Sequence, residues 1–325
     1  MIVALEEAKR KLVALYDIVG ELKNQLRIDE TKERCAELER ETLVQDFWSD
    51  AEKSSKKLQE IKQLKDKYES YEALAARLDD LILSADKGDV CVSSFLTPRE
   101  CLFAERHLRL RGAHFLLFGG YADAERKRVY ILPDYMADVE DIKSFSDYGY
   151  DAQMIAIELI SGGFCKISHR DYLGSVLGLG FERSVIGDIA VCDDGARAVV
   201  FCDATIGGYI SENLTKVAND RVKARVVELD SVILPERKMQ PINDTVASAR
   251  CDCVVAAICS LSRERAKEAV EAGFVEVDYE REERPDKILT APCTVSVRGK
   301  GKFRVLSIQD KTKKGRFRLI AEKYL

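Results

Sequence analysis

"RCDCVVAAICSLSRERAKEAVEAGFVEV", residues 250–277, reads as two short helices running into a strand. Val254, Val255 and Ile258 fall on one face of the first helix, and Ala266, Ala269 and Val270 on one face of the second. Gly273 supplies a left-handed stop. Ser262 and Arg263 open the second helix, where unpaired backbone N–H groups and the helix dipole favour an anion. Arg263 and Lys267 stand four apart and project from the same side.

Working outward, "VSVRGKGKFRVLSIQDKTKKGRFRLIAEKYL" (295–325) reads as strands joined by a basic turn. It concentrates Arg298, Lys300, Lys302, Arg304, Lys311, Lys313, Lys314, Arg316 and Arg318 around one acid, Asp310. Such a cluster neutralises phosphates by releasing their counterions. Phe303 and Phe317 alternate with these basic residues and read as core rather than as base-stacking platforms. The chain as a whole carries a net charge of -5. Residues 1–86 hold 15 Lys and Arg against 20 Asp and Glu, and this part accounts for the whole excess. The positive patch is therefore local, and local fields set nucleic-acid binding.

Residues 1–86 contain Gly20 and no proline. Ile2, Leu5, Leu12, Leu15, Val19 and Leu22 recur at helical spacing, as do Leu58, Ile61, Leu64, Lys65, Tyr68, Tyr71, Leu74, Leu78 and Leu81. This predicts long amphipathic helices in a hairpin or small bundle. In "DFWSDAEK", Ser49 or Asp50 caps the following helix, and Phe47 and Trp48 are expected to staple its start to a neighbour. From residue 87 the texture is mixed. "LTPRECLFAERHLRLRG" is a helix with a Thr cap, Pro98 in its first turn and Gly112 at its end. "AHFLLFGG", "RKRVYILP", "AQMIAIELI" and "ARVVELD" read as strands. "SHRDYLGSVLGLG" is a helix capped by Ser168, and "DATIGGYISENLTKV" is another helix. "GDIAVCDDGARAVVFC" is a hairpin turning at Asp194-Gly195. "LPERKMQPINDT", with two prolines, reads as a linker.

The expected fold is α+β in three parts. A helical domain covers 1–86, and a central RRM-like α+β RNA-binding region covers 87–233. After a linker at 234–245, a small module covers 246–325. A piece beginning near Asp89 is expected to fold alone.

Residues 248–310 resemble the S4 domain, a small RNA-binding module. The pattern is Arg250-x-Asp252, Ser262-Arg263, Ala266-Lys267 and Gly273-x-Val275-x-Val277. Two turns depart from it: Asp278-Tyr279 replaces the usual Asn-Gly, and Ala291-Pro292-Cys293 replaces a common Gly-Asp. Further blocks widen the resemblance over about 95–325. "FLTPRE", "GGYADAERKRVYILPDY", "SHRDYLGSVLGLGFERSVIGDI", "YISENLTKV", "VSVRGKGKF" and "KTKKGR" together resemble the YlmH family of bacterial S4-domain proteins. That resemblance implies RNA binding by the central region and the S4 module. It also implies association with a large ribosomal subunit carrying peptidyl-tRNA, in rescue of stalled chains. Arg99, Arg126, Lys127, Arg128, His169, Arg170 and Arg183 would join the RNA face. By its residues alone, Arg126-Lys127-Arg128 fits an exposed strand end equally well, and His169 fits a cap or core position better than chemistry. Residues 1–84, above all "QDFWSDAEK", resemble the N-terminal helical domain of bacterial peptide-chain release factor 2.

Several chemistries are disfavoured. The Gly-Gly pairs are followed by Tyr121, Phe164 and Tyr209, never by the Gln that peptide release needs. "LGSVLGLG" lacks the G-x-x-x-x-G-K-[ST] of a phosphate loop. The ten cysteines form no C-x-x-C pair and do not gather near His107, His114 or His169, so reduced thiols without a metal are expected, and no cofactor. No apolar run is long enough to span a membrane. The first residues hold acids and no unbroken apolar core, so no secretory leader is expected and the compartment is the cytoplasm. A pseudouridine-synthase type of RNA-modifying enzyme would need a catalytic Asp block, which 87–245 lacks. The expected function is a non-enzymatic factor binding rRNA and tRNA on the large ribosomal subunit. A helical interaction scaffold in cell division or translation, with a protein partner on the N-terminal helices, is the other alternative.

Overall fold

The computed structural model describes residues 28, 31–44, 47–163, 166–192, 195–234, 239–311 and 315–324. The periodicity over Ile2–Leu22 lies outside them, as do Asp194, Lys313 and Lys314.

The Asp50 carboxylate accepts the backbone N–H of Lys53 at 3.1 Å, and helix α2 (Ala51–Ala85) starts there. Helix α1, described over 31–42, folds back along its first half. Cys35 and Leu38 are buried against Ile61, beside Leu64 and Tyr68. Ion pairs Lys57–Glu41, Lys65–Glu39 and Lys32–Glu72 line this contact. Trp48 is 66% exposed and meets Phe47 edge to face, so among the described residues it staples nothing to a neighbouring helix.

The second half of α2 belongs to a different core. Leu74, Leu78 and Ala85 pack with Leu96, with Cys101, Ala104 and Leu108 of α3 (Pro98–Arg111), and with Val129 and Ile131 of β3. Tyr71 stacks on Phe103 at 4.9 Å, and Asp79 meets both His107 and Arg111 at 2.8 Å. The boundary read at residue 86 thus cuts through shared apolar packing. The glycine-poor texture that suggested it marks the end of a helix, not the edge of a core. Helix α3 has the expected capping box of Thr97 and Glu100, with Gly112 left-handed at its end. Strands β1 (Cys91–Val92), β2 (His114–Phe118) and β3 (Arg128–Leu132) form an antiparallel sheet in the order β1-β3-β2. The middle strand is buried at all five positions.

The next part runs β4 (Met154–Ser161), α4 (His169–Leu177), β5 (Ile186–Val191), β6 (Arg197–Asp203), α5 (Ala204–Asn213), β7 (Lys216–Val217) and β8 (Asp220–Val227). Its antiparallel sheet has the order β5-β6-β4-β8-β7. This is a β-α-β-β-α-β unit with a short added hairpin strand. Ser168 and Asp203 cap α4 and α5. Tyr172, Val176 and Ile210 press those helices onto Ile157, Leu159, Val200 and Cys202, all on one face of the sheet. The helix expected through Val217 ends at Asn213, because Lys216 and Val217 pair with β8 instead.

A third sheet has the order β11-β10-β12-β13-β14-β9, with β9 Met239–Val246, β10 Val275–Val277, β11 Glu280–Glu282, β12 Cys293–Val297, β13 Gly301–Lys311 and β14 Phe317–Tyr324. Helices α6 (Cys251–Ile258) and α7 (Arg263–Glu271) cover one face, burying Val254, Val255, Ala266 and Val270 against Val275, Val295, Phe303 and Leu319. The linker read at 234–245 is corrected over its second half: residues 239–246 are an edge strand paired only with β14. Pro241 is tolerated there because an edge strand needs a ladder on one side only. The two-residue β10–β11 turn puts Asp278 and Tyr279 in the left-handed region, at φ 49° and 63°. That conformation usually selects Asn and Gly. Asp278 accepts Thr294 N–H at 2.8 Å, which ties the turn to β12.

Among the described residues no helix is long and apolar enough to cross a membrane, and no group of three or more His, Cys, Asp or Glu is placed to hold a metal ion. The described cysteines are free thiols. Burial pushes Cys101 up to about 11 and Cys202, Cys251 and Cys293 to about 12, so they stay protonated as packing groups.

Candidate nucleic-acid interface

Asp252 organises the first group of candidate residues. It sits in the first turn of α6 with its side chain 2% exposed. Arg250, the residue before the helix, donates to both carboxylate oxygens at 3.0 and 3.1 Å. Arg263, the first residue of α7, donates to Oδ2 at 3.3 Å. Burial works against the charge on Asp252. The hydrogen bonds from Arg250 and Arg263 outweigh it and hold the pKa below the usual aspartate range. One buried acid therefore fixes two guanidiniums side by side, Arg250 half-buried and Arg263 exposed, and the cluster keeps a net positive charge. Ser262 accepts Arg265 N–H at 3.3 Å and caps α7. Lys267 lies one turn on from Arg263 and pairs loosely with Glu271 at 3.6 Å.

The basic residues of β12–β13 divide by position. Arg298 lies over the half-exposed ring of Phe274, 5.5 Å from its centroid. Lys300 occupies the turn into β13 and has no ion-pair partner among the described residues. Lys302 and Arg304 point from the sheet face opposite α6 and α7. Lys302 meets Glu125 at 2.7 Å and Tyr279 Oη at 3.2 Å, with the rings of Tyr279 and Tyr324 around it. Burial opposes the ammonium charge, but the bond to Glu125 prevails and raises its pKa. Arg304 faces Asp123 at 4.0 Å. Arg316 donates to the Thr245 carbonyl across β9.

Arg128 is buried and Arg126 half-buried, so neither forms an exposed strand end. Arg128 is buried in the middle strand of the first sheet. It bonds the Ser93 and Gln153 carbonyls at 2.7 Å and pairs with Asp203 at 3.0 Å. Arg126 donates to the carbonyls of Phe95 at 2.9 Å, Ile186 at 3.1 Å and Arg183 at 3.2 Å. Arg183 turns likewise onto Ile186 and Gly187. Burial, and then the Arg126 charge, lower its pKa to about 10. These guanidiniums join the first sheet to the second, where a buried donor needs a carbonyl or acid. His169 is held neutral more readily than usual by burial and by Arg183. Arg99 lies over the Tyr71 ring at 5.4 Å. Lys127 forms a bridge with Leu96, half-buried, and Arg170 is exposed on α4. The connection 119–127 is the junction of all three sheets. Tyr121 Oη and the N–H groups of Glu125 and Arg126 converge on Asp188 at 2.7 to 3.0 Å, while the Glu125 side chain reaches Lys302.

Residues 146–231, the β-α-β-β-α-β unit with its flanks, match the family model described as "Putative RNA-binding domain in YlmH". Over 232 residues, 71% of this chain and 86% of the relative, the sequence is 28% identical to the Ribosome-associated protein quality control protein P2 of Bacillus subtilis (strain 168). Both matches support the likeness to YlmH-family RNA-binding proteins that the order of sequence blocks implied. A solved structure, the cell division protein ylmH from Streptococcus pneumoniae, matches at 19% identity over 50% of this chain and 93% of that chain, with a TM-score of 0.41. The match to P2 leaves part of this chain uncovered, and the release-factor likeness of residues 1–84 is not shown.

Sequence reasoning missed the outer face of the five-stranded sheet. Glu158 is buried there between Arg197 at 2.6 Å and Arg225. Alternation along β8 was the available signal: Arg221, Lys223 and Arg225 interleave with Val222 and Ala224.

Proposed function

We propose that this chain is a non-enzymatic RNA-binding factor of the cytoplasm. It holds ribosomal and transfer RNA on the large ribosomal subunit while a stalled nascent chain is rescued. In this reading α6, α7 and the third sheet act as an S4 module, and the matched unit acts as an RRM-like second RNA-binding domain. The observation that carries it is the Asp252-anchored pair of Arg250, before α6, and Arg263, which opens α7, with Lys267 one turn away. Paired guanidiniums at a helix start suit a bidentate phosphate contact. The name of the similar protein, ribosome-associated and concerned with quality control, supports the ribosomal setting.

The test is co-sedimentation with large subunits carrying peptidyl-tRNA, followed by cryo-EM of the pelleted complex. Density for α7 against RNA, with loss of pelleting in R263E/K267E, is the expected result. A folded R263E/K267E chain that pellets as the native one does would refute the site. Density that contacts ribosomal protein alone would refute the RNA reading.

A further inference from the structure

We infer a second RNA contact on the uncovered half of the five-stranded sheet. Lys216, Arg221, Lys223 and Arg225 there grip a sugar–phosphate backbone without reading bases. The inference rests on the RNA-binding reading above and specifies which face of the central unit takes part.

The helices α4 and α5 occupy one face of this sheet. On the other face, the β5–β6 half is closed. Ala156, Val199 and Phe201 are buried beneath Tyr121, Leu229, Val232 and Leu234. The aromatic rings that could stack on bases, Phe201 and Tyr121, lie against each other at 5.1 Å in that covered half. The β4–β8 half is open. Register puts Lys223 opposite Ile160 and Arg225 opposite Glu158, and Lys216 opposite Arg221 across the β7–β8 hairpin. Ile160 is 43% exposed and floors a concavity edged by Ser161, Thr215, Lys216, Arg221 and Lys223.

The charge on this half is unbalanced. Its acid, Glu158, is already shared by Arg197 and Arg225. Lys216, Arg221 and Lys223 are exposed and meet no acid among the described residues. Lys216 and Arg221 form a directly opposed like-charge pair, which costs stability in a sheet. A surface under no other demand intersperses its signs. Here the repulsion persists in the folded chain, and a polyanion laid along β8 relieves it. With basic groups at alternate positions and no exposed ring, the contact is to phosphate, so it positions RNA and carries no base preference.

The experiment uses the full chain with fluorescein-labelled 20-nucleotide single-stranded RNAs of two unrelated sequences. Anisotropy titrations are repeated across a potassium chloride series. R221Q/K223Q should weaken both RNAs roughly tenfold at low salt and flatten the slope of log Kd against log salt by about 1.4, two single-strand phosphate contacts. The single variant K223Q should lose about half that slope, which guards against a fold defect in the double variant. Unchanged affinity and slope in both variants, while R263Q weakens binding, would overturn this inference and leave the RNA-binding reading standing. A loss confined to one sequence would overturn it as well, since that reports base readout. A native chain with no affinity for either RNA would remove both.

Discussion

Lys302 of the third sheet and Glu125 of the β2–β3 connection meet at 2.7 Å, across 177 residues of chain. The basic strand is thus partly neutralised by an acid from another unit. Any phosphate that reaches Lys302 must displace Glu125. A partly exposed pair of this kind contributes about 0–1 kcal/mol. E125Q should therefore bind RNA up to about fivefold tighter, with a salt slope steeper by about 0.7–0.9. Affinity and slope identical to the native chain would show that Lys302 stays out of the RNA contact.

Removing the Asp252 carboxylate should loosen both arginines that it holds. D252N should lose about 1–3 kcal/mol of stability at neutral pH from its charged hydrogen bonds. Its RNA affinity should fall as well, although the residue itself is buried. The pH dependence has a defined sign. The folded-state pKa of Asp252 is depressed, so its contribution is complete above the unfolded value near 3.9 and disappears as pH falls through the folded value. The stability difference between native and D252N chains should shrink on acidification below about pH 4. A difference that stays constant down to pH 2 would exclude this linkage.

The shared core of α2 gives the opposite expectation to a cut at Asp89. Leu78 is fully buried between α3 and the first sheet, and L78A should cost about 2–5 kcal/mol. A chain starting at Asp89 loses Leu74, Leu78 and Ala85 together, and it should melt far lower than the full chain or fail to stay soluble. Thermal unfolding followed by circular dichroism decides. Equal melting temperatures would mean the contact contributes nothing.

Glycine replacements separate crowding from backbone strain. Gly120 has φ 97°, and a Cβ there would stand 2.2 Å from the Phe201 ring. Gly163 has φ 75° with open space around it. G163A should cost about 1–2 kcal/mol from the left-handed backbone alone, while G120A should add about 1–3 kcal/mol of overpacking and lift the connection off the sheet. Denaturant midpoints of the two variants measure the gap. Equal midpoints would mean that the connection moves aside freely.

Much of the local structure was legible because it is written in short-range chemistry. Thr97, Ser168 and Ser262 each announce a helix start, and Gly112 and Gly273 each announce a stop. The run Arg126-Lys127-Arg128 was not legible. Charge in a row looks like surface, and only the burial of β3 on both sides, with Asp203 arriving from 75 residues away, turns Arg128 inward. The strand 239–246 was hidden by Pro241, since nothing local distinguishes an edge strand from a linker. The basic face of β8 was visible as alternation, but its significance depends on what covers the other half of the sheet, and that is tertiary.

Helix α2 is continuous over 35 residues, roughly 52 Å at 1.5 Å per residue. One end is clamped by α1 and the other is sunk into the core beneath the first sheet. Its two ends are therefore held at a fixed separation. A molecule gripped at the far end sits at a set offset from the strands that carry the basic residues, without any hinge to take up error. A pull at that end also becomes torque on Leu74 and Leu78, so mechanical load and the integrity of the first sheet are tied to the same few side chains.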